Sequence, residues 1–267
     1  MDDPLVTIVT PSWNSEKYIE ATILGVIGQT YKNIEYIIVD GGSVDNTLGI
    51  IRKYEKHISH WVSEPDKGMY DAINKGMSMA KGDIVAYINS DDLYYPDTIS
   101  KIVRLFENDR CVDLVYGNLN FIDEVGKTLY VQKYPSFNLK LFINSNYSMI
   151  GQPAAFWRKS LMDKVGLFDE SLRMASDFEF FIRAGQVGTL RHVPEVLAAF
   201  RLHPNSMTWR QMQLSNEEIA GMRAKYRIDS KGGGNIFLRR LADVHFKLIN
   251  WRVMLTKIGM LLKNGHA

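Results

Sequence analysis

Residues 82–96 read GDIVAYINSDDLYYP, an apolar run that ends abruptly in polar and acidic residues before a proline. The run at residues 84–88 is typical of a buried strand, and Asn89 follows it directly. Ionised groups beside a core need an opposite charge, and ligands of open α/β sheets bind at the carboxyl ends of strands. The stretch therefore predicts a metal site at a strand end, with a turn and helix cap at Asp91 and Asp92 as the alternative.

Apolar runs and amphipathic segments alternate on both sides of this strand. Such alternation predicts a mainly parallel sheet with helices on both faces. We predict strands at residues 5–10, 34–39, 61–63 and 114–117, and helices at residues 19–27, 48–54, 72–80 and 96–106.

The pattern changes after about residue 118. We predict a hairpin turn near residues 124–126, a strand at 152–157, a helix at 177–184 and two strands at 190–193 and 196–201. A run of glycines at residues 232–234 is the best linker candidate in the chain. We therefore predict one domain over residues 1–230 and a separate tail over residues 231–267.

The composition is that of an ordinary globular enzyme. Hydrophobic residues make up 46% and charged residues 23% of the 267 residues, which excludes a disordered chain. The single cysteine, Cys111, excludes an internal disulfide framework and a cysteine zinc site. The acidic first residues do not resemble a signal peptide, and no run reaches the roughly 18 apolar residues of a membrane span. We therefore expect a cytoplasmic protein.

The tail is strongly basic. It carries seven basic residues and one acidic residue, a charge of +6, so the remaining 230 residues carry −4 of the net +2. Apolar residues recur between positions 236 and 263 at spacings of mostly three and four. This pattern favours an amphipathic helix on an anionic membrane over a nucleic-acid-binding tail. Packing on its own domain or on a partner subunit is the alternative, and the oligomeric state stays open.

Two common nucleotide motifs are absent: no G-x-x-x-x-G-K-[ST] follows a strand, and no G-x-G-x-x-G follows the first strand. P-loop and Rossmann dehydrogenase functions are therefore disfavoured. Acids at strand ends remain, and a divalent metal held by one or two carboxylates can neutralise a diphosphate without a glycine cradle. The candidates for such chemistry are Asp40, Asp91, Asp177 and His203.

The chain resembles the family 2 glycosyltransferases of the GT-A fold. The resemblance rests on the order of its motifs over about 200 residues: VTPSWN at 9–14, DGGSVDNT at 40–47, GD at 82–83, NSDD at 89–92, Gln152, Phe168-Asp169, Asp177 and RLHPNSMT at 201–208. It implies a Rossmann-like mixed sheet flanked by helices, a nucleotide-binding half at about residues 1–118, an acceptor-side half at 119–230 and a C-terminal helical extension.

The resemblance implies that the turn formed by Pro11, Ser12 and Trp13 binds the nucleoside together with Asp40. Trp13 would stack on the base and Asp40 would accept from its ring N–H, which suits a pyrimidine such as uracil. Surface packing is the alternative for Trp13, and a turn cap is the alternative for Asp40.

Further residues near the donor follow from the same resemblance. Asp66, Lys67 and Asp71 lie where the third loop of the family approaches the nucleotide sugar, with a solvated charge cluster as the alternative. Asn89 departs from the family, which usually has an acid there. We therefore expect Asn89 and Ser90 to contact the nucleotide.

The metal, Mn²⁺ or Mg²⁺, is expected on Asp91 and His203, with Asp92 as a neighbour of uncertain role. A structural role is the alternative for His203. The resemblance implies that Asp177 is the general base of an inverting displacement, with helix capping, or Glu179 as the base, as alternatives. Gln152 and Trp157 fall where the acceptor should lie, with strand packing as the alternative.

The resulting hypothesis is an inverting glycosyltransferase that uses a nucleotide-diphosphate sugar, with uridine as the expected nucleoside, to extend a glycan or lipid-linked acceptor at the inner face of the cell membrane. Two rival hypotheses are a sugar nucleotidyltransferase and a membrane-docked binding module without turnover. Asn89 favours the module, whereas Asp91, Asp177 and His203 argue against it.

Overall fold

The structure is a computed structural model that describes residues 3–145, 148–226, 234–251 and 253. In these residues nine strands form one mixed sheet, in the order β3-β2-β1-β4-β8-β6-β9-β5, with β7 paired to β6. The strands are β1 Val6–Ser12, β2 Ile34–Asp40, β3 His60–Ser63, β4 Ile84–Tyr87, β5 Leu93–Tyr94, β6 Leu114–Ile122, β7 Thr128–Gln132, β8 Ala155–Arg158 and β9 Leu190–Arg201. The helices are α1 Ile19–Ile27, α2 Thr47–Lys53, α3 Met69–Met79, α4 Thr98–Asn108, α5 Leu139–Asn144, α6 Lys159–Val165, α7 Ser176–Val187, α8 Met207–Arg210, α9 Met212–Tyr226 and α10 Gly234–Ile249.

The first half of the sheet is parallel. Strand β1 pairs with β2 on one side and β4 on the other, and β3 extends the sheet beyond β2. Every residue of β1 and β4 is buried, as expected for parallel strands that are covered on both faces. The predicted alternation of strands and helices is confirmed here, and it brings the ends of β1, β2 and β4 to one edge.

Strand β8 makes the sheet mixed, because it runs antiparallel to both β4 and β6. Strand β9 then pairs parallel to β6. Strand β8 is antiparallel to both of its neighbours, so β6 runs in the same direction as β4, and β9 follows β6. Strands β6 and β9 therefore end at the same edge of the sheet as β4. The residues after β9 are thereby carried to the residues after β4, more than 100 positions earlier in the chain.

Several local predictions differ from the structure. Residues 190–201 form one continuous strand, with register shifts beside Asn118, instead of two. A 3₁₀ turn at Gln152–Ala154 precedes β8, because Pro153 lacks the N–H that a strand ladder needs. Helices α8 and α9 are not predicted, since the weak apolar periodicity of residues 207–226 gives little sign of a buried face.

Helix α10 covers the described part of the basic tail and packs on α5. Asn250 is 3% exposed, and its side chain bonds both the N–H and the carbonyl of Lys133, at 2.8 and 2.9 Å. Of the predicted glycine linker at 232–234, residues 232 and 233 lie outside the described residues and Gly234 begins α10. The part of the predicted helix beyond residue 253 also lies outside them. Within the described ranges, no helix combines the length and apolar composition that a membrane crossing requires.

Candidate functional site

The two predicted metal ligands meet at the carboxyl edge of the sheet. His203 Nε2 lies 2.8 Å from Asp91 Oδ2, although 112 positions separate the residues. The side chain of Asp91 is 26% exposed and that of His203 is 9% exposed. Tyr18 covers the imidazole, with ring centroids 4.8 Å apart. Their position at the ends of β4 and β9 brings an oxygen and a nitrogen donor to one place.

The adjacent acid, Asp92, points elsewhere. It is 1% exposed, its Oδ1 accepts from the backbone N–H of Arg201 at 2.9 Å, and its carbonyl accepts from Thr22. Burial raises the pKa of Asp92 well above its usual value, and the charge of Asp91 adds to the effect. Asp92 therefore joins β4 to β9 and α1, and it does not share the solvent-facing position of Asp91.

Arg201 holds the Asp91 loop in place. Its guanidinium donates to the carbonyls of Asp91, Asp123 and Glu124 at 2.9 to 3.1 Å and lies 4.8 Å from the ring centre of Tyr18. A single buried cation thus connects the ends of β4 and β6. The sequence contains this arginine within the RLHPNSMT motif, but its spacing alone does not reveal these carbonyl partners.

Asp40 corrects an expectation. It is fully buried, and its carboxylate accepts from the backbone N–H groups of Gly42 and Ser43 and from the hydroxyls of Ser43 and Ser63, at 2.5 to 3.1 Å. A base N–H cannot reach a carboxylate that is covered on all sides and already bonded to four donors. Asp40 therefore orders the turn after β2, which was the alternative given for it.

A cleft of about 410 Å³ opens beside this turn. One side of the cleft is lined by Trp13, which is 65% exposed, and by the loop at residues 65–71, which includes Asp66, Lys67 and Asp71. Gly41 leaves room for the side chain of Asp66, which would have to move if position 41 carried a Cβ, because that atom would lie 2.3 Å from Asp66 Oδ2. The opposite wall consists of Glu170, Leu172, Arg173, Met207 and Gln211.

The loop at residues 65–71 is held by its own side chains. Asp71 Oδ2 accepts from the N–H of Lys67 and Asp66 Oδ1 from the N–H of Gly68, both at 2.9 Å. Gly68 has φ +132°, a conformation that favours glycine. The acids predicted to contact the donor thus shape the loop, while Lys67 is exposed.

The remaining predicted nucleotide contacts lie along the strand ends. Pro11 and Ser12 are buried in β1, and Ser90 Oγ lies 2.7 Å from the hydroxyl of Ser15. Ser12 Oγ and Asn89 Oδ1 are buried without a hydrogen-bond partner among the described residues. Trp13 is therefore the residue of this group that is open to a ligand.

Asp177 lies in the first turn of α7, next to Tyr70 of α3. Its Oδ1 accepts from the N–H of Phe178 at 2.8 Å and from the Tyr70 hydroxyl at 3.3 Å. Burial raises the pKa of Asp177 to about 6, although these hydrogen bonds oppose the shift. A carboxylate with such a pKa is a suitable general base near neutral pH.

Glu179, the alternative base, is not available. It is 4% exposed, and Arg183 donates to both of its oxygens at 2.8 and 3.0 Å. The hydroxyl of Tyr226 donates to it at 2.5 Å. These donors satisfy the carboxylate inside the protein, so the structure retains Asp177 as the candidate.

The prediction that Trp157 binds the acceptor is wrong. Trp157 is 0% exposed and packs against Phe168, Phe180 and Tyr87, since it lies on the covered strand β8. Gln152 is 8% exposed, and its Nε2 donates to the carbonyl of Tyr87 at 2.8 Å. Neither residue lines the cleft.

Tyr70 and Glu218 are missed by the sequence interpretation. Tyr70 joins the cleft wall to Asp177, and Glu218 of α9 contacts the loop before α7. Both contacts span 44 or more positions of the chain. A local pattern carries no signal for contacts of this kind.

The donor set at Asp91 and His203 fits a divalent cation such as Mn²⁺ or Mg²⁺. A carboxylate oxygen and an imidazole nitrogen are suitable ligands, and their 2.8 Å contact shows that one ion can reach both. Among the described residues there is no group of three or more His, Cys, Asp and Glu side chains that could hold a metal.

Known proteins resemble this chain over most of its length. The sequence profile of Glycosyl transferase family 2 matches residues 7–166. An uncharacterized glycosyltransferase of Rickettsia typhi is 32% identical over 211 residues, which are 77% of this chain and 66% of the relative. Another, from Mycobacterium tuberculosis, is 31% identical over 190 residues, 69% of this chain and 70% of the relative. The chain thus matches about two thirds of the length of these relatives.

Solved structures share the fold. S. aureus TarS 1–349 in complex with UDP-GlcNAc has a TM-score of 0.68 at 18% identity, covering 86% of this chain and 68% of that one. The mannosyltransferase PcManGT from Pyrobaculum calidifontis, in complex with GDP-Man and Mn²⁺, has a TM-score of 0.63 at 18% identity and covers 99% of this chain and 76% of that one. At this identity the likeness concerns the fold, and it confirms the predicted mixed α/β sheet flanked by helices.

Proposed function

Because this chain belongs to Glycosyl transferase family 2, we propose that it transfers a sugar from a nucleotide-diphosphate donor to a glycan or lipid-linked acceptor, with inversion at the anomeric carbon. The observation that carries the proposal is the contact of His203 with Asp91 at the carboxyl edge of the sheet, the edge at which the exposed Trp13 follows β1. Two motifs that are far apart in sequence meet there, and a metal ion held by them would compensate the charge of a donor diphosphate.

We assign the donor nucleoside to the Trp13 side of the cleft. An exposed indole offers a stacking surface for a base, and such stacking is worth about 1–3 kcal/mol per base. Uridine is the proposed nucleoside, supported by the TarS complex with UDP-GlcNAc; the mannosyltransferase bound to GDP-Man is the competing precedent.

Asp91 and His203 are the residues that would hold Mn²⁺ or Mg²⁺. When bound, the ion would supply charge neutralisation to the leaving diphosphate. Arg201 fixes the backbone of Asp91, and Tyr18 restricts the imidazole, so both ligands are positioned in advance.

Asp177 is the proposed base of the transfer step. Its pKa is about 6, so the ionised form prevails above that pH and accepts the proton of the acceptor hydroxyl. The hydroxyl oxygen forms a bond to the anomeric carbon while the bond from that carbon to the diphosphate oxygen breaks. One displacement of this kind inverts the configuration, and the nucleoside diphosphate leaves with the electron pair.

A donor panel tests this function. We expect one nucleotide sugar of the panel, a UDP-sugar, to raise the melting temperature most strongly in the presence of MnCl₂. The same compound should be slowly hydrolysed when no acceptor is present. The physical reason is that a ligand that binds only the folded state stabilises it, by an amount that grows with the logarithm of the ratio of ligand concentration to Kd. Protection by no nucleotide sugar, with or without manganese, would favour the binding module, and release of pyrophosphate from a nucleoside triphosphate would favour a nucleotidyltransferase.

The acceptor is proposed to lie at the inner face of the cell membrane, with α10 in contact with the bilayer. Three apolar residues of this helix and Trp251, just beyond its end, are 51% to 67% exposed: Leu241, Val244, Leu248 and Trp251. Their spacing of three, four and three places them along one side of a helix. They form a continuous exposed apolar stripe.

The stripe lies opposite the face that packs on the domain. Asn250 and Val253 are 3% and 7% exposed, and Phe246 packs against the core. At 3.6 residues per turn, the centres of the two faces are about 170° apart. Arg240 and Lys247 are exposed beside the stripe. An apolar stripe with a basic border matches an anionic lipid surface.

We expect Leu248→Glu to reduce sedimentation with vesicles of phosphatidylglycerol and phosphatidylcholine by at least about tenfold, because a charge would enter the headgroup boundary. Val187→Glu, which makes the same change at a residue that is 60% exposed, serves as the control and should sediment like the wild type. Equal sedimentation of both variants would contradict membrane contact through α10. A change of oligomeric state in Leu248→Glu alone would assign the stripe to a second subunit instead.

A further inference from the structure

A carboxylate from α9 binds three consecutive backbone amides just before α7. Glu218 Oε1 accepts from the N–H of Arg173 at 2.8 Å, and Oε2 accepts from those of Met174 and Ala175 at 2.9 and 3.0 Å. The two elements are separated by about 43 positions in the chain. Hydrogen bonds to a charged acceptor are the strong ones, so this contact constrains the loop firmly.

Helix α7 does not provide this acceptor itself. Its N-cap residue, Ala175, has no side chain that can bond the helix N-terminus. Unsatisfied amides at and before a helix N-terminus need an acceptor, and a negative charge there is favourable. Glu218 therefore supplies from another helix what the local sequence lacks.

The same loop is held from the other side by Tyr70. Its hydroxyl lies 3.3 Å from the carbonyl of Met174 and 3.3 Å from both Asp177 Oδ1 and the N–H of Asp177. Residues 173–177 are thus fixed between α3 of the nucleotide half and α9. Arg173 lines the donor cleft at one end of this segment, and Asp177 stands at the other.

We propose that Glu218 is a positioning residue for sugar transfer. It holds residues 173–177 so that the base Asp177 keeps a fixed position relative to the cleft wall at Arg173. The proposal rests on the proposed function, in which Asp177 accepts the proton. Glu218 does not touch the reacting atoms. It acts through the backbone that carries the base.

The titratable groups that face Asp177 make this role measurable. They are Tyr70 of α3, Tyr87 of β4 and Glu218 of α9, and burial raises the pKa of both tyrosines well above its usual value. Burial is the main cause of the raised pKa of Asp177, and Glu218 raises it further. Removing the charge of Glu218 should therefore lower the pKa of Asp177 and extend activity to lower pH.

Glu218→Gln tests the proposal. The glutamine keeps the length of the side chain, but its amide nitrogen cannot accept from an N–H. We expect kcat to fall by about tenfold, the scale of one lost charge-assisted hydrogen bond, with a smaller change in KM for the donor. We also expect the acid limb of the kcat/KM profile, with its midpoint at about pH 6 in the wild type, to move to lower pH.

The control is Glu217→Gln, the same substitution at the neighbouring exposed residue, which accepts from Gln213 and has no bond to the loop. A second variant, Glu218→Asp, keeps the charge and should keep the wild-type pH midpoint, so it reports on the proposal if Glu218→Gln does not fold. Faster hydrogen exchange at the amides of residues 173–175 in Glu218→Gln than in Glu217→Gln is expected whether or not turnover is found.

The outcomes separate the two hypotheses. Equal kcat, pH midpoint and amide exchange in Glu218→Gln and Glu217→Gln would overturn the positioning role. A lower melting temperature with unchanged kcat and pH midpoint would reduce Glu218 to a structural contact and overturn it as well. If the wild type transfers no sugar from any donor, the proposed function fails, and the exchange measurement still decides whether Glu218 holds the loop.

Discussion

Asp177→Asn is expected to slow sugar transfer at least about 100-fold while donor binding stays close to that of the wild type. The amide cannot accept the proton of the acceptor hydroxyl. Its oxygen can still accept from the N–H of Phe178 and from the Tyr70 hydroxyl, so the local structure should persist. Transfer rates and donor affinity, measured on the same preparation, check the prediction.

The stability of this variant provides a second readout. The pKa of Asp177 is raised in the folded state to about 6, so ionisation of its carboxyl group opposes folding. The contribution of Asp177 to the free energy of unfolding therefore falls as pH rises from about 4 through 6. Asp177→Asn removes that cost, and its melting temperature at pH 8 should equal or exceed that of the wild type. Asp163→Asn, a change at an exposed acid on α6, is the control. Transfer at wild-type rate would remove Asp177 from the mechanism.

Asp91→Ala is expected to abolish manganese-dependent donor binding without unfolding the protein. Asp91 contributes its carboxylate to the proposed metal site, while the fold depends on its backbone carbonyl, which Arg201 binds. We expect the affinity for the metal to fall by more than the roughly 10–100-fold that loss of an outer-shell partner costs. The measurement is the shift in melting temperature caused by a UDP-sugar with and without MnCl₂.

The control for Asp91 is Asp163→Ala, which removes an exposed carboxylate distant in sequence from the metal motif. It should retain the full manganese-dependent shift. If Asp91→Ala also retained it, the metal would have to be held elsewhere. A variant that lost its cooperative melting transition would instead show that the Asp91 side chain supports the fold.

Much of the architecture is predictable because local sequence patterns indicate its strands and helices. Strands β1, β2 and β4 are short apolar runs, each followed by polar residues, and parallel strands bring those residues to one edge. The hairpin turn near residue 125 and helix α7 are also predictable from local composition. The helices α8 and α9 are not, since their stability comes from contacts such as those of Met222 and Glu218 with the rest of the domain.

The errors at the site have one physical cause. Asp40 and Trp157 are chemically suited to bind a ligand, but burial decides what a side chain can touch. Asp40 is enclosed by donors from its own turn, and Trp157 lies in the aromatic core beside Phe168 and Phe180. The exposure of a side chain depends on how distant segments of the chain cover it, so a local sequence motif does not predict that exposure.

The sequence by itself determined that polar and acidic residues end a buried strand at residues 89–92, because an apolar run followed by acids is a local feature. Only the tertiary structure decided which of the two acids faces outward: β9 returns parallel to β6, covers Asp92 with the backbone of Arg201, and places His203 against Asp91. It also decided that Glu218 supports the loop of Asp177. Such pairings depend on chain segments 43 to 112 positions apart, which the packing of the sheet and helices brings together.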